Sequence, residues 1–218
     1  MKLIPAPAVF VLLAVIPVMF GSCIGASMDI TIRPNGSGRI VLEYRVPQML
    51  ESMGRLYGDE RWPAIPVGRA DLQRTVARIP GMRLSSFSSR TEPSGNTGGD
   101  LVTRAVLDFR NTDALVRFID ATGSRATIDR GDTNLLRIVL LDPSPPLQSA
   151  ELLALLREVS QGYEIRIGFN LPGNAGLAVI PVPADGVRSS VDGRAANFAV
   201  STGCLPAITE GLALEVSW

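Results

Sequence analysis

The chain has 218 residues, no histidine, and 21 basic residues balanced by 21 acidic ones. Without histidine it lacks the commonest general base and the commonest metal ligand, and the even charge balance gives no indication of a basic surface for nucleic acid. We therefore expect no catalytic residue, no metal site and no cofactor.

The first 23 residues have the pattern of a bacterial export signal. Lys2 precedes an apolar run over residues 3–20, and small residues follow that run. A basic end, an apolar core and a small-residue cleavage site are typical of a secretory signal peptide. Phe20-Gly21-Ser22-Cys23 resembles the lipobox of bacterial lipoproteins, in which the cysteine thiol receives a diacylglyceryl group. The resemblance implies a signal peptide over residues 1–22 and lipidation at Cys23. An uncleaved transmembrane anchor and a plain secreted protein are the alternatives.

A lipid on Cys23 would fix the location of the whole protein. Residues 23–27 then form the lipidated cysteine and a tether that reaches about 14 Å at most, so residues 28–218 lie against a membrane. The expected location is the bacterial cell envelope, lipid-anchored and facing the periplasm or the exterior. Because lipid would occupy Cys23, Cys204 has no partner for a disulfide and is expected to be a small buried apolar residue.

Alternating residues predict an opening β-hairpin. Apolar and polar side chains alternate over residues 28–33 and again over 39–46, and Pro34 to Gly38 form a turn between them.

Further along the chain, helical and strand spacings succeed one another. Helices are predicted at 47–57, 69–79, 111–121 and from Ser149, where a broad leucine face begins. Strands are predicted at 82–90, 100–109, 126–129, 133–141, 163–170, 177–182, 187–191, 197–201 and 212–218. This order, a strand pair followed by a helix, predicts a single α+β domain over 28–218. Its antiparallel sheet would carry three or four helices packed mainly on one face.

One short motif lies at a predicted hairpin tip. Arg130-Gly131-Asp132 spells the triplet that many integrins recognise, and a hairpin would display it to a partner. The same residues are also good turn formers without any partner. The triplet supports an adhesin as an alternative function.

Carboxylates are the only candidate acid or base groups. Asp129 with Asp132, and Asp59 with Glu60, form adjacent pairs, but both pairs lie at predicted turns, where acidic residues are expected for backbone reasons. We therefore predict that the protein is not an enzyme.

Four segments at the two ends of the exported chain resemble the LppM-type bacterial envelope lipoproteins. They are Met28 to Gly38, Phe169 to Gly173, Val191 to Arg194 and Leu214 to Trp218. The resemblance implies a curved antiparallel sheet and a non-enzymatic envelope protein, a group for which binding of amphiphilic lipids has been proposed. It supplies no site residues.

The expected function is a membrane-anchored, non-catalytic binding module for an amphiphilic ligand or a protein partner. The short tether, the apolar composition and a cavity between sheet and helices support it. A purely structural envelope protein, whose apolar residues all fill an ordinary core, is the alternative beside the adhesin. The expected partner is the membrane, through the lipid on Cys23.

Overall fold

The structure is a computed structural model that describes residues 25–47, 68–93, 99–121, 125–143, 151, 154, 158, 162–181 and 186–218. The strands are β1 (Gly25–Ile32), β2 (Gly38–Pro47), β3 (Met82–Glu92), β4 (Asp100–Phe109), β5 (Arg125–Arg130), β6 (Asn134–Leu141), β7 (Glu164–Asn170), β8 (Gly176–Ile180), β9 (Val187–Asp192), β10 (Ala195–Ser201) and β11 (Leu212–Ser217). The helices are α1 (Arg69–Ala77) and α2 (Thr112–Ala121), with a 3-10 helix at Thr202–Ala207.

The strands form two sheets, where the sequence predicted one antiparallel sheet. The larger sheet has seven strands in the order β3-β4-β2-β1-β7-β10-β9, and the smaller has four in the order β5-β6-β11-β8. The β1–β7 pair is parallel, with Ala26 opposite Ile165, so the larger sheet is mixed. Alternation along a strand shows which face of the strand is buried, but it does not show which distant strand pairs with it. The sequence therefore could not predict this arrangement.

The α+β class is confirmed, but the number of helices is not. Two α-helices, α1 and α2, have both their ends within the described residues, against the predicted three or four. Pro47, predicted to open a helix, is instead the last residue of β2, where the strand ends and its missing N–H costs little. The rest of that helix lies outside the described residues. Of the helix predicted from Ser149, only three positions are described, all helical and exposed: Glu151, Ala154 and Glu158. Among the described helices, none has the length and hydropathy to span a membrane.

The core lies against the inner face of the larger sheet. Alternate residues of β1 and β2 are buried, among them Ile30, Ile32 and Ile40, as the opening hairpin predicts. Helix α2 adds Leu115 and Phe118 to the same cluster. Helix α2 begins as the sequence predicts, because the Asn111 side-chain oxygen accepts a hydrogen bond from the Ala114 N–H at 2.9 Å.

The outer face of the larger sheet is polar. Asp108 accepts hydrogen bonds there from Ser85, Arg39 and Arg83, with N–O distances of 2.9 Å to Arg39 and 3.0 Å to Arg83. These donors, Ser85 first, hold the pKa of the Asp108 carboxyl well below its usual range. The sheet therefore has one apolar and one polar face, and each face carries a recess.

Candidate functional site

An apolar cavity of about 190 Å³ lies between the two sheets. The larger sheet contributes residues of β1, β2, β7 and β10, and the smaller contributes residues of β6 and β11. Phe118 of α2 and Leu205 of the 3-10 helix complete the lining. Such a lining suits hydrocarbon and supplies few groups for chemistry.

Strand register explains why space is left at this point. Tyr44 of β2, Ala26 of β1 and Ile165 of β7 are directly opposite one another on the inner face of the larger sheet. Ala26 is the smallest of the three and lies between two large side chains. The row therefore has a gap above Ala26, and the cavity occupies this region.

The cavity opens at the end of the sheet where β1 begins. Along β1, Ile32 and Ile30 are 3% and 1% exposed, whereas Met28 is only half-buried. The same change occurs along β7, where Ile167 is buried and Ile165 is half-buried. On the facing sheet, Leu140 is half-buried as well. The core is thus closed in its middle and accessible at this end.

Among the described residues that line the cavity, Tyr44 carries the only phenol. Burial raises the pKa of Tyr44 from 10.0 to about 12, because the phenolate would lose its hydration. The described residues give its hydroxyl no hydrogen-bond partner. Tyr44 is therefore neutral at physiological pH, and its hydroxyl is free to donate to an oxygen of a ligand.

A hydrogen-bonded cluster stabilises the same end of the sheet. The Asp100 side chain is 2% exposed, accepts a hydrogen bond from the Tyr163 hydroxyl at 3.1 Å, and lies 3.8 Å from the Arg45 guanidinium. The Tyr163 carbonyl in turn accepts from the Thr202 hydroxyl at 3.0 Å. These contacts connect β4, β2, the start of β7 and the 3-10 helix at the end of the sheet where β1 begins.

The predicted lipidation residue, Cys23, lies outside the described residues, but β1 begins only two positions after it. The sequence predicted the first strand from Met28, whereas Gly25, Ala26 and Ser27 already pair with β2. Their small side chains lack the apolar alternation that signals a strand. In sequence, therefore, one residue separates Cys23 from the sheet.

The Arg130-Gly131-Asp132 triplet lies where β5 turns into β6. Arg130 is the last residue of β5, and its guanidinium donates to the Thr112 hydroxyl at 2.9 Å and pairs with Asp113. Gly131 and Asp132 are exposed in the turn. Arg130 thus anchors the hairpin to the start of α2, a structural role that accounts for the arginine without a partner protein.

The remaining candidates form no catalytic constellation in the part of the chain that the structure describes. Asp129 and Asp132 are exposed, and Asp59 and Glu60 lie outside the described residues. Cys204 is a free, half-buried thiol. No group of three or more potential metal ligands occurs among the described residues.

Sequence reasoning expected a cavity between the sheet and its helices, not between two sheets, and it missed the recess on the outer face. It predicted the inward orientation of Met28, Leu42 and Tyr44 but not the gap above Ala26, because that gap depends on β7, which is distant in sequence. The signal that could have indicated this gap is a small residue among large side chains that point inward.

No family model and no curated protein sequence matches the chain. Among solved structures, the folded domain of LppM from Mycobacterium tuberculosis, determined by NMR, is similar to it with a TM-score of 0.47. The two chains are 9% identical, and the match covers 90% of each. This is a weak similarity of fold.

Proposed function

We propose that this chain is a non-catalytic lipoprotein of the bacterial cell envelope that binds an acyl chain of an amphiphile in the cavity between its sheets. The observation that carries the proposal is the position of the cavity mouth, at the end of the sandwich where β1 begins. Gly25 follows Cys23 by two positions, a reach of about 7 Å. A lipid on Cys23 would bring this end to the membrane surface, where acyl chains are available.

The size of the cavity limits what it accepts. An engineered apolar cavity of about 150 Å³ in another protein binds benzene, so the 190 Å³ cavity suits a slightly larger apolar group. It therefore holds a segment of one acyl chain, not two chains and not a polar headgroup. Tyr44 can donate a hydrogen bond to a carbonyl oxygen of such a ligand.

Photo-cross-linking tests this proposal with the full chain purified into lipid nanodiscs. A phospholipid with a diazirine in its acyl chain is added after purification, so that lipid attached to Cys23 carries no probe. We expect cross-links at Met28, Leu140 and Ile165, whose half-buried side chains line the cavity.

Two leucines of β6 provide a matched pair of variants. Both Leu140 and Leu135 are half-buried, but only Leu140 lines the cavity. Leu140→Trp should fill the cavity and reduce these cross-links several-fold, while Leu135→Trp should leave them unchanged. Cross-links confined to exposed positions, or equal labelling of both variants, would contradict acyl-chain binding in the cavity.

A further inference from the structure

A polar groove of about 390 Å³ lies on the outer face of the larger sheet, on the opposite side of β1 and β7 from the apolar cavity. Gly168 of β7 forms its floor, with Asp29 of β1 opposite it on one side and Asn197 of β10 on the other. Because Gly168 has no side chain, the two flanking side chains lean over it. A Cβ atom at position 168 would lie 2.5 Å from Asp29 Oδ1 and 3.5 Å from Asn197 Oδ1.

A positive charge stands beside this pair. Arg166 lies two residues before Gly168 on the same face of β7. Its neighbours on the adjacent strands are the small residues Ser27 and Ala199. Its side chain is exposed. Within the described residues, Asp29, Arg166 and Asn197 have no side-chain hydrogen bond or ion pair. Elsewhere on this face, Asp108 and Glu92 are paired with arginines, whereas the three groups of the groove keep their bonding capacity open.

The chemistry of these three groups selects a class of ligand. The Asp29 carboxylate only accepts hydrogen bonds, the Arg166 guanidinium only donates them, and the Asn197 amide does both. An anion would be repelled by Asp29, and a cation by Arg166. A neutral ligand whose groups each donate and accept, as hydroxyl groups do, meets no like charge. The volume also falls in the range of small-molecule sites.

We propose that the groove over Gly168 is a binding site for a neutral polyhydroxylated ligand, a mono- or disaccharide unit, with Asp29, Arg166 and Asn197 as its hydrogen-bonding partners. This inference goes beyond acyl-chain binding and does not depend on it, since β1 and β7 separate the two sites.

The test is an NMR titration of the full chain in lipid nanodiscs, which avoids detergents with sugar headgroups. The probes are disaccharides of glucose, galactose, mannose and N-acetylglucosamine, with sulfate and calcium ions as charged alternatives. We expect at least one disaccharide to shift the amide resonance of Gly168 and those of its neighbours. Asp29→Asn and Asn197→Ala should each weaken that binding about tenfold, the loss expected for one hydrogen bond to a desolvated partner.

Two residues of the same face provide matched controls. Asp192 and Asn170 are exposed there but do not line the groove, so Asp192→Asn and Asn170→Ala should bind as the unmodified chain does. All four positions are exposed, so the variants should fold. The proposal is overturned if no disaccharide perturbs Gly168, if only sulfate or calcium does, or if the groove variants bind like the controls. Leu140→Trp should leave saccharide binding intact, and Asp29→Asn should leave acyl cross-linking intact, so the two proposals fail separately.

Discussion

Tyr44 combines two properties that rarely occur together in an apolar lining. It packs against the hydrophobic core, and it carries a hydroxyl for which the described residues supply no partner. Burial favours the neutral phenol, so the cost of desolvation appears as a raised pKa. A ligand oxygen beside this hydroxyl would find a donor that stays protonated at any physiological pH.

The same pKa makes stability depend on alkaline pH. The unfolded chain releases the Tyr44 proton near pH 10, whereas the folded protein retains it until about pH 12. The folded state is therefore fully favoured below pH 10 and loses stability as the pH rises from 10 to 12. At pH 11 the loss should be about 1 kcal/mol.

Urea unfolding of Tyr44→Phe and of the unmodified chain, measured at pH 8 and pH 11, checks this prediction. The difference in unfolding free energy between the two pH values should be smaller in the variant by about 1 kcal/mol. Comparing each protein with itself removes the effect of the lost hydroxyl on packing. An identical decline in both proteins would show that Tyr44 titrates at its ordinary pKa.

Individual residues also show how much of the site could be predicted from the sequence. The alternation of Ile40, Leu42 and Tyr44 correctly assigned these side chains to one buried face. Gly168 lies within a predicted strand, but nothing in its neighbours indicated that Asp29 and Asn197 flank it. In the sequence, Asp29 lies about 140 residues before Gly168, and Asn197 lies 29 residues after it.

At the scale of elements, the turn into β2 depends on a glycine for space. Gly38 is opposite Ile32 of β1 and Phe109 of β4. A methyl group there would overlap with the Thr31 carbonyl oxygen and with the Phe109 ring. Because one of these atoms is backbone, the strand would have to shift.

We expect Gly38→Ala to lower the free energy of unfolding by about 3 kcal/mol, the upper end of overpacking effects. Gly131→Ala is the matched control, because Gly131 is in an exposed turn without a positive φ, and its nearest atom to a new methyl is 3.9 Å away. That variant should change stability by less than about 0.5 kcal/mol. Urea denaturation of both variants measures the difference, and equal losses would contradict the steric argument.

The elements themselves were largely predictable. Helix α2 is confirmed, because Asn111 provides a cap and Leu115 and Phe118 the helical spacing. Each described strand overlaps a predicted one, because alternation is a local property. The number of sheets and the parallel β1–β7 pair were not predictable, because they depend on which strands meet across long separations in sequence.

At the scale of the whole molecule, the proposed function depends on attachment at Cys23. Expressed in a bacterial host, the full chain should carry an acylated Cys23 and partition into the detergent-rich phase of a Triton X-114 extract. Cys23→Ala lacks the thiol that receives the lipid, so it should not be acylated and should lose this partitioning.

The second cysteine of the chain supplies the control for that measurement. Cys204→Ala removes a half-buried thiol far along the sequence and should partition as the unmodified chain does. Mass spectrometry of the N-terminal peptide identifies the attached group. Equal partitioning of both variants would mean that something other than lipid on Cys23 holds the protein at the membrane.

The parallel pairing of β1 with β7 also has a consequence during biosynthesis. Ala26 lies opposite Ile165, so 139 residues must be added before β1 gains its second neighbour. At about 5–20 residues per second, the ribosome needs roughly 7 to 30 s for this. Once β2 has paired with it, β1 remains an edge strand with unpaired backbone groups until β7 is available, and such groups are a template for pairing with another chain. The nascent chain is therefore most exposed to aggregation after its first hairpin has formed and before residue 170 has emerged.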